Sequence, residues 1–174
     1  MIRTILVPTD GSDHARKALA LACGLAEKYD ARVVLVHVLL RDAAPDDLRA
    51  VSNVKRLPQA VQRELERVED VPLAAASLGG GYVAPPIPAS VLEAVGAQIF
   101  DAAKRSAKRI GVKKVSVHLA EGDPANRILE CAKREKADMI VMGKRGLGSL
   151  QELFIGSVSH KVGILAACPC MTVK

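Results

Sequence analysis

The chain has 174 residues, a length that fits one domain of the usual size of about 100–200 residues. Apolar residues make up 49% of it, which excludes a wholly disordered chain, and only 2% are aromatic, which argues against a surface that stacks single-stranded nucleic acid. The net charge is +6, and the excess lies in residues 101–174, where 14 Lys and Arg stand against 7 Asp and Glu, so that part of the chain favours a polyanionic ligand or a solvated basic surface.

The N-terminal part predicts a strand, a helix and a second strand. Residues 4–8 (TILVP) form a short buried strand, and residues 9–12 form a tight turn. A helix follows over 13–30 with Ser12 as its N-cap, and residues 31–40 form a valine-rich strand. This order predicts a right-handed crossover and a parallel pair of strands.

Residues 41–90 are expected to be a flexible insert. A helix starts near Pro45, and a polar helix is predicted over 59–71. Three consecutive glycines at 79–81 and the proline-rich run 85–88 then break the chain. For the stretch as a whole, we predict a flexible loop or flap.

The rest of the chain alternates between helices and strands. In order, it predicts a helix over 91–110, a half-buried edge strand over 112–119, a helix over 124–136, a strand over 138–142, a helix over 157–167 and a last strand over 169–173. Gly111 ends the first of these helices, and Asp123 with Pro124 starts the second. Five strands with intervening helices predict one α/β domain over residues 1–174.

The sequence favours a cytoplasmic protein. Cys168-Pro-Cys170 lacks the spacing of a redox or zinc pair, and a disulfide framework is not expected in a chain of this size. Met1 runs almost directly into the first strand without a visible signal peptide. Apolar runs stay well below the roughly 18 residues of a membrane helix, so we expect no membrane contact.

A glycine-rich loop joins the fourth strand to the last helix. It holds Gly143, Gly146 and Gly148, and Gly156-Ser157 opens the helix. Glycine lets backbone N–H groups approach an anion, and a helix start adds unpaired N–H groups, so the loop predicts a phosphate cradle to which Ser157 adds a hydroxyl. The alternative is that these glycines only turn the chain between the strand and the helix.

The spacing of these residues resembles a known signature. Gly143, Gly146, Gly156 and Ser157 match G-x2-G-x9-G-S/T without a mismatch, and this differs from the P-loop and dinucleotide patterns. The match resembles the ATP-binding branch of the universal stress protein family. The runs ILVPTDGS, VLVHV, DMIVMG and ACPCMTV also resemble that family's strands and turns, whereas residues 41–90 have no counterpart motif.

The resemblance implies a three-layer α/β/α fold, Rossmann-like and of the adenine nucleotide alpha hydrolase type. It implies a five-stranded parallel sheet in the order 3-2-1-4-5 and a homodimer paired through the last strand, Pro169-Val173. In such sheets a ligand binds at the carboxyl ends of the strands where the winding reverses, here between the first and fourth strands.

In that crevice the resemblance implies an adenine nucleotide, ATP, with magnesium or manganese as an ion that arrives on the phosphates. Asp10 would lie beside the base or ribose; alternatively it caps the first helix or stabilises its turn. The backbone of Val38 would read the adenine edge, although Val38 also suits a core position. Lys144, Arg145 and Ser149 are weaker candidates. The other expected contacts are Pro8, Thr9, Met142, Gly143, Gly146, Gly148, Gly156, Ser157 and Val158.

The sequence assembles no nucleophile, base and orienting group, so we assign no catalytic residue. The four histidines are scattered, and no protein-built zinc site is expected. We predict an ATP-binding, dimeric stress-response module with slow hydrolysis or none. The alternatives are a slow ATP hydrolase or nucleotidyl-transfer enzyme on the same fold, and an interaction protein that binds no nucleotide. DNA binding is a weaker interpretation, because no recognition motif is present.

Overall fold

The computed structural model describes residues 1–39, 45–76, 87–147 and 156–174. Its strands are β1 (Thr4–Pro8), β2 (Arg32–Val38), β3 (Val115–Ala120), β4 (Met139–Gly143) and β5 (Cys170–Val173). They form one sheet in the order β3-β2-β1-β4-β5, and every neighbouring pair is parallel. The predicted five-stranded parallel sheet and its strand order are confirmed.

The described residues form six α-helices. They are α1 (Asp13–Tyr29), α2 (Pro45–Val51), α3 (Gln59–Ala76), α4 (Ala89–Ile110), α5 (Pro124–Arg134) and α6 (Ser157–Leu165). Successive side chains of a strand point to opposite faces of the sheet. Ile5 and Val7 therefore pack with α1 and α4, and Leu6 and Val34 pack with α5 and α6. The predicted three layers are confirmed, and within the described residues every helix is too short or too polar for a membrane span.

The helix ends follow the local sequence signals. The Ser12 hydroxyl oxygen accepts from the Ala15 N–H at 3.2 Å, and Asp123 Oδ1 accepts from the Asn126 N–H at 2.9 Å, so both predicted N-caps are confirmed. Gly111 ends α4 with a φ of 104°, a left-handed conformation that favours glycine.

Several boundaries differ from the prediction; α5, for example, ends at Arg134 rather than at residue 136. β3 starts at Val115 rather than at residue 112, because the Val112 N–H still donates to the Ala107 carbonyl at 3.1 Å and closes the end of α4. α6 ends two residues early, because Ala166 is already extended. β2 ends at Val38, and residue 40 of the predicted strand lies outside the described residues.

Residues 45–76 correct the prediction of a loop over 41–90. They form α2, a short 3-10 helix (Val54–Arg56) and α3, so the predicted helices near Pro45 and from Gln59 are confirmed. Leu48 and Leu65 are fully buried in a second core against the first half of α4. The apolar side chains of α3 pack against α4. The sequence prediction treated α3 as a polar helix and did not include this contact. Of the remainder of the predicted flap, residues 41–44 and 77–86 lie outside the described residues, whereas Ile87 is buried in the second core and α4 begins at Ala89.

Candidate functional site

A crevice forms where β1 and β4 lie side by side and the winding of the sheet reverses. Pro8 ends β1 and Gly143 ends β4, so the two predicted groups of site residues meet at one edge of the sheet. Thr9 follows Pro8, and its N–H donates to the Val36 carbonyl at 2.9 Å, which ties the turn to β2. The structure therefore brings together the turn after β1 and the loop after β4.

Asp10 uses its two carboxylate oxygens differently. Oδ1 accepts from the Ser12 N–H at 3.0 Å and stabilises the turn, as the alternative interpretation of Asp10 expects. Oδ2 faces the loop after β4, where a β-carbon at position 146 would stand only 2.3 Å away. Gly146 itself is exposed. The absence of a side chain at Gly146 thus lets this loop approach the carboxylate across the crevice.

Gly143 has a packing role as well as its place in the signature. A β-carbon there would stand 2.8 Å from the Arg145 carbonyl oxygen and 2.9 Å from two atoms of His14. His14 lies in the first turn of α1. The end of β4 can therefore lie against α1 only because residue 143 has no side chain.

Lys144 joins the two ends of the glycine-rich loop. Its N–H donates to the Val173 carbonyl at 2.7 Å, and its carbonyl accepts from the Gly156 N–H at 3.1 Å. The buried Ser159 hydroxyl lies 2.7 Å from the same carbonyl and 2.9 Å from that of Gly156, and it donates to one of them at a time. The N–H groups of Lys144 and Gly156 therefore hold the loop closed and are not available to the predicted phosphate cradle.

The start of α6 has backbone donors that the described residues leave without an acceptor. Within the described residues, no acceptor takes the N–H groups of Ser157, Val158 or Ser159, and no side chain caps the helix at Gly156. The Ser157 side chain is exposed. These amides and the helix dipole favour an anion at this point.

Three expected contact residues lie in the core. Val38 and Met142 are buried, and Val158 is half-buried against the core that α5 and α6 cover. Their side chains pack there, so a contact of the kind that the resemblance implies would have to use their backbone atoms. Val38 in particular agrees with its alternative interpretation as a core valine. Gly148 and Ser149 lie outside the described residues.

Sequence reasoning assigned no role to His37 at the end of β2. The side chain is 1% exposed, and Nδ1 lies 2.7 Å from the Thr9 carbonyl oxygen. Burial lowers the pKa of His37 below its usual 6.5, against the smaller opposing effects of the Thr9 hydrogen bond and the Asp10 charge. A histidine inside the apolar run VLVHV was the available signal. Ser159, the third residue of α6, was also missed.

Comparisons with known proteins agree with this fold. The model of the universal stress protein family matches residues 1–174. A relative named universal stress protein in QAH/OAS sulfhydrylase 3'region, from Thermus aquaticus, is 36% identical over 174 residues, with 100% of both chains covered.

Solved structures of this family have a similar architecture. Universal stress protein UspA from Lactobacillus plantarum has a TM-score of 0.66 at 21% identity, over 99% of this chain and 98% of that one. A universal stress protein in complex with cAMP has a TM-score of 0.62 at 21% identity, over 99% and 97%. A family member from Arabidopsis thaliana with AMP bound has a TM-score of 0.59 at 20% identity, over 99% and 91%. The chain belongs to the universal stress protein family.

Proposed function

We propose that this chain binds an adenine nucleotide, ATP, in the crevice between β1 and β4 and acts as a stress-response regulator. The observation that carries the proposal is the approach of Gly146 to Asp10 across the crevice, where a β-carbon would stand 2.3 Å from Oδ2. Two loops far apart in the sequence meet at the edge of the sheet where α/β proteins bind ligands.

The phosphates would lie at the start of α6. The N–H groups of Ser157 and Val158 have no acceptor among the described residues, and the Ser157 hydroxyl is exposed beside them. A helix of nine residues stands behind these donors. Backbone donors together with the positive end of the helix dipole suit a phosphate chain. Gly148, in the same loop, would add its backbone to this part of the site.

The base and ribose would lie beside Asp10. Its carboxylate accepts hydrogen bonds from hydroxyl or amino groups and would not need to meet the phosphates. The backbone next to Val38, at the end of the neighbouring strand, would meet the edge of the base. The cAMP and AMP complexes of similar proteins support the adenine part of the proposal.

A divalent ion, magnesium or manganese, would come with the phosphates. Across the described ranges, no group of three or more His, Cys, Asp and Glu side chains is arranged to hold a metal ion. Magnesium commonly binds nucleotide phosphates and keeps several waters, so such an ion needs few protein ligands.

We further propose that the chain works in the cytoplasm as a homodimer joined through β5. β5 is an edge strand, and edge strands carry backbone groups that can pair with another chain. Met171 of β5 is 38% exposed, and Ile164 and Leu165 at the end of α6 are 67% and 57% exposed. These exposed apolar side chains lie close along the chain to the proposed seam and support it.

The helices of the insert would sense the bound nucleotide. Gly11 follows Asp10, has a φ of 83°, and lies so close to α2 that a β-carbon on it would stand 2.9 Å from the β-carbon of Val51. A shift of the Asp10 turn on binding would therefore press on α2. Through this contact, nucleotide binding would change the position of α2 and so the surface of the insert.

Mass spectrometry of nucleotide released from gently purified protein tests the proposal, together with titration of ATP into protein stripped of ligand. We expect the parent to carry an adenine nucleotide and Gly146→Glu to carry none, because the added side chain would fill the space beside Asp10 in which the base and ribose would lie. Gly163→Glu is the matched control, since Gly163 in α6 has open space around it and its variant adds the same charge outside the crevice.

Two results would contradict these proposals. Gly146→Glu loaded as fully as the parent and as Gly163→Glu contradicts the proposed site. A parent that neither carries nor binds any adenine nucleotide contradicts the proposed function. A parallel assay for phosphate release separates a regulator from a slow ATP hydrolase.

A further inference from the structure

The two ring nitrogens of His37 have opposite surroundings. Nδ1 lies 2.7 Å from the Thr9 carbonyl oxygen, whereas Nε2 is buried and has no hydrogen-bond partner within the part of the chain that the structure describes. A carbonyl oxygen only accepts, so Nδ1 carries the hydrogen and donates it. The neutral ring then has a lone pair on Nε2, and a second proton would bury an N–H group without an acceptor.

Apolar contacts hold the ring in place. A β-carbon on Gly96 of α4 would stand 2.9 Å from Cδ2 of His37 and 3.2 Å from Cδ1 of Leu119 in β3. Phe100 of α4 meets the ring edge-on, with centroids 6.0 Å apart. From the turn after β1, Asp10 is the charged group that acts on the ring. The site thus suits an uncharged imidazole, and burial correspondingly lowers the pKa of His37.

His37 and its strand fix both backbone groups of Thr9. The Thr9 N–H donates to the Val36 carbonyl of β2, and the Thr9 carbonyl accepts from His37 of the same strand. Thr9 is therefore held against β2 immediately before the chain leaves the sheet. The direction in which Asp10 then points, toward Gly146, depends on that hold.

We propose that His37 is a positioning residue of the nucleotide site: its neutral ring holds the Thr9 carbonyl and so aims the Asp10 carboxylate across the crevice. This inference rests on the proposed nucleotide binding. It further requires that the site loosens when the ring is displaced or takes up a proton, because the described residues around the ring offer the second N–H no partner.

Two substitutions at His37 separate the hydrogen bond from the shape of the side chain. His37→Asn keeps an N–H close to the position of Nδ1 and does not titrate, whereas His37→Leu fills part of the space and donates nothing. In ATP titrations at about pH 7.5, we expect the Asn variant to bind within about threefold of the parent and the Leu variant at least about tenfold more weakly.

The pH dependence of ATP affinity would not change if His37 had a purely structural role. Protonation of ATP itself affects its binding to the parent and to His37→Asn equally. The ratio of the two affinities therefore reports the titration of His37. As the pH falls below the usual histidine pKa of about 6.5, toward the lowered pKa of His37, we expect that ratio to fall by at least about threefold as the parent ring takes up a proton. Thermal unfolding of each variant, recorded in parallel, reports whether the protein is folded.

Gly96→Ala is a second route to the same question. The added methyl group pushes on the His37 ring from α4, where its nearest neighbours are His37 and Leu119, so we expect at least about fivefold weaker binding. Gly24→Ala is the matched control, because Gly24 also lies in a helix but has open space around it. The proposed role of His37 is overturned if His37→Leu and Gly96→Ala bind ATP like the parent and the ratio of parent to His37→Asn affinity stays constant with pH. A parent that binds no nucleotide overturns the proposed function instead.

Discussion

Gly143 leaves no room for a side chain against His14: a β-carbon at position 143 would stand 2.9 Å from the backbone carbonyl carbon of His14. At Gly146 the nearest obstacle is instead the end of a side chain, the Oδ2 atom of Asp10. The two glycines belong to one signature but are constrained in different ways. Backbone cannot yield without moving α1 or the loop, whereas a carboxylate can rotate.

Alanine at these two positions should therefore have different effects. We expect Gly143→Ala to lower the free energy of unfolding by about 1–3 kcal/mol, the usual cost of overpacking. For Gly146→Ala we expect a loss below about 1 kcal/mol but at least tenfold weaker ATP binding, because the displaced group is Asp10. Urea unfolding and ATP titration measure the two quantities. A larger loss of stability in Gly146→Ala than in Gly143→Ala would contradict this interpretation.

Leu65 tests whether α3 is a folded part of the molecule. Its side chain is fully buried against α4, so Leu65→Ala should lower the free energy of unfolding by about 2–5 kcal/mol. Glu66→Ala, at the next and exposed position of the same helix, should change it by less than about 0.5 kcal/mol. Urea unfolding compares the two variants, and equal, small effects would restore the prediction of a loose flap.

Glu135 joins residues from three parts of the fold at the end of α5. Its carboxylate lies 2.9 Å from Nη1 of Arg32 and 3.0 Å from Nε2 of His118, and its side chain is 16% exposed. The hydrogen bond from Arg32 is the main cause that lowers the pKa of Glu135 below its usual 4.5, and His118 and Arg134 act in the same direction.

A lowered carboxyl pKa stabilises the folded protein above the unfolded value, and this contribution is lost as the pH falls through the folded value. We expect Glu135→Gln to unfold more easily than the parent by about 1 kcal/mol near pH 6. The difference should shrink as the pH falls below about 4.5 and passes through the lowered pKa of Glu135, because the parent carboxylate then takes up a proton. Urea unfolding across this range measures the difference, which would stay constant if the charge of Glu135 had no part in stability.

Local signals determined much of this protein from the sequence alone. Ser12 and Asp123 cap their helices, and Gly111 ends one, because a cap depends on residues only a few positions away. The runs of valine and isoleucine likewise indicated buried parallel strands. The family resemblance added the strand order, which short-range patterns do not contain.

Only the tertiary structure decided which distant residues meet. Asp10 faces Gly146, and His37 donates to Thr9, because the sheet order places β1 between β2 and β4. Leu65 is buried because it packs against the apolar surface of α4, which the sequence of α3 alone does not reveal. Periodicity and capping act over a few residues, whereas these contacts join segments separated by tens of residues and depend on how the layers pack.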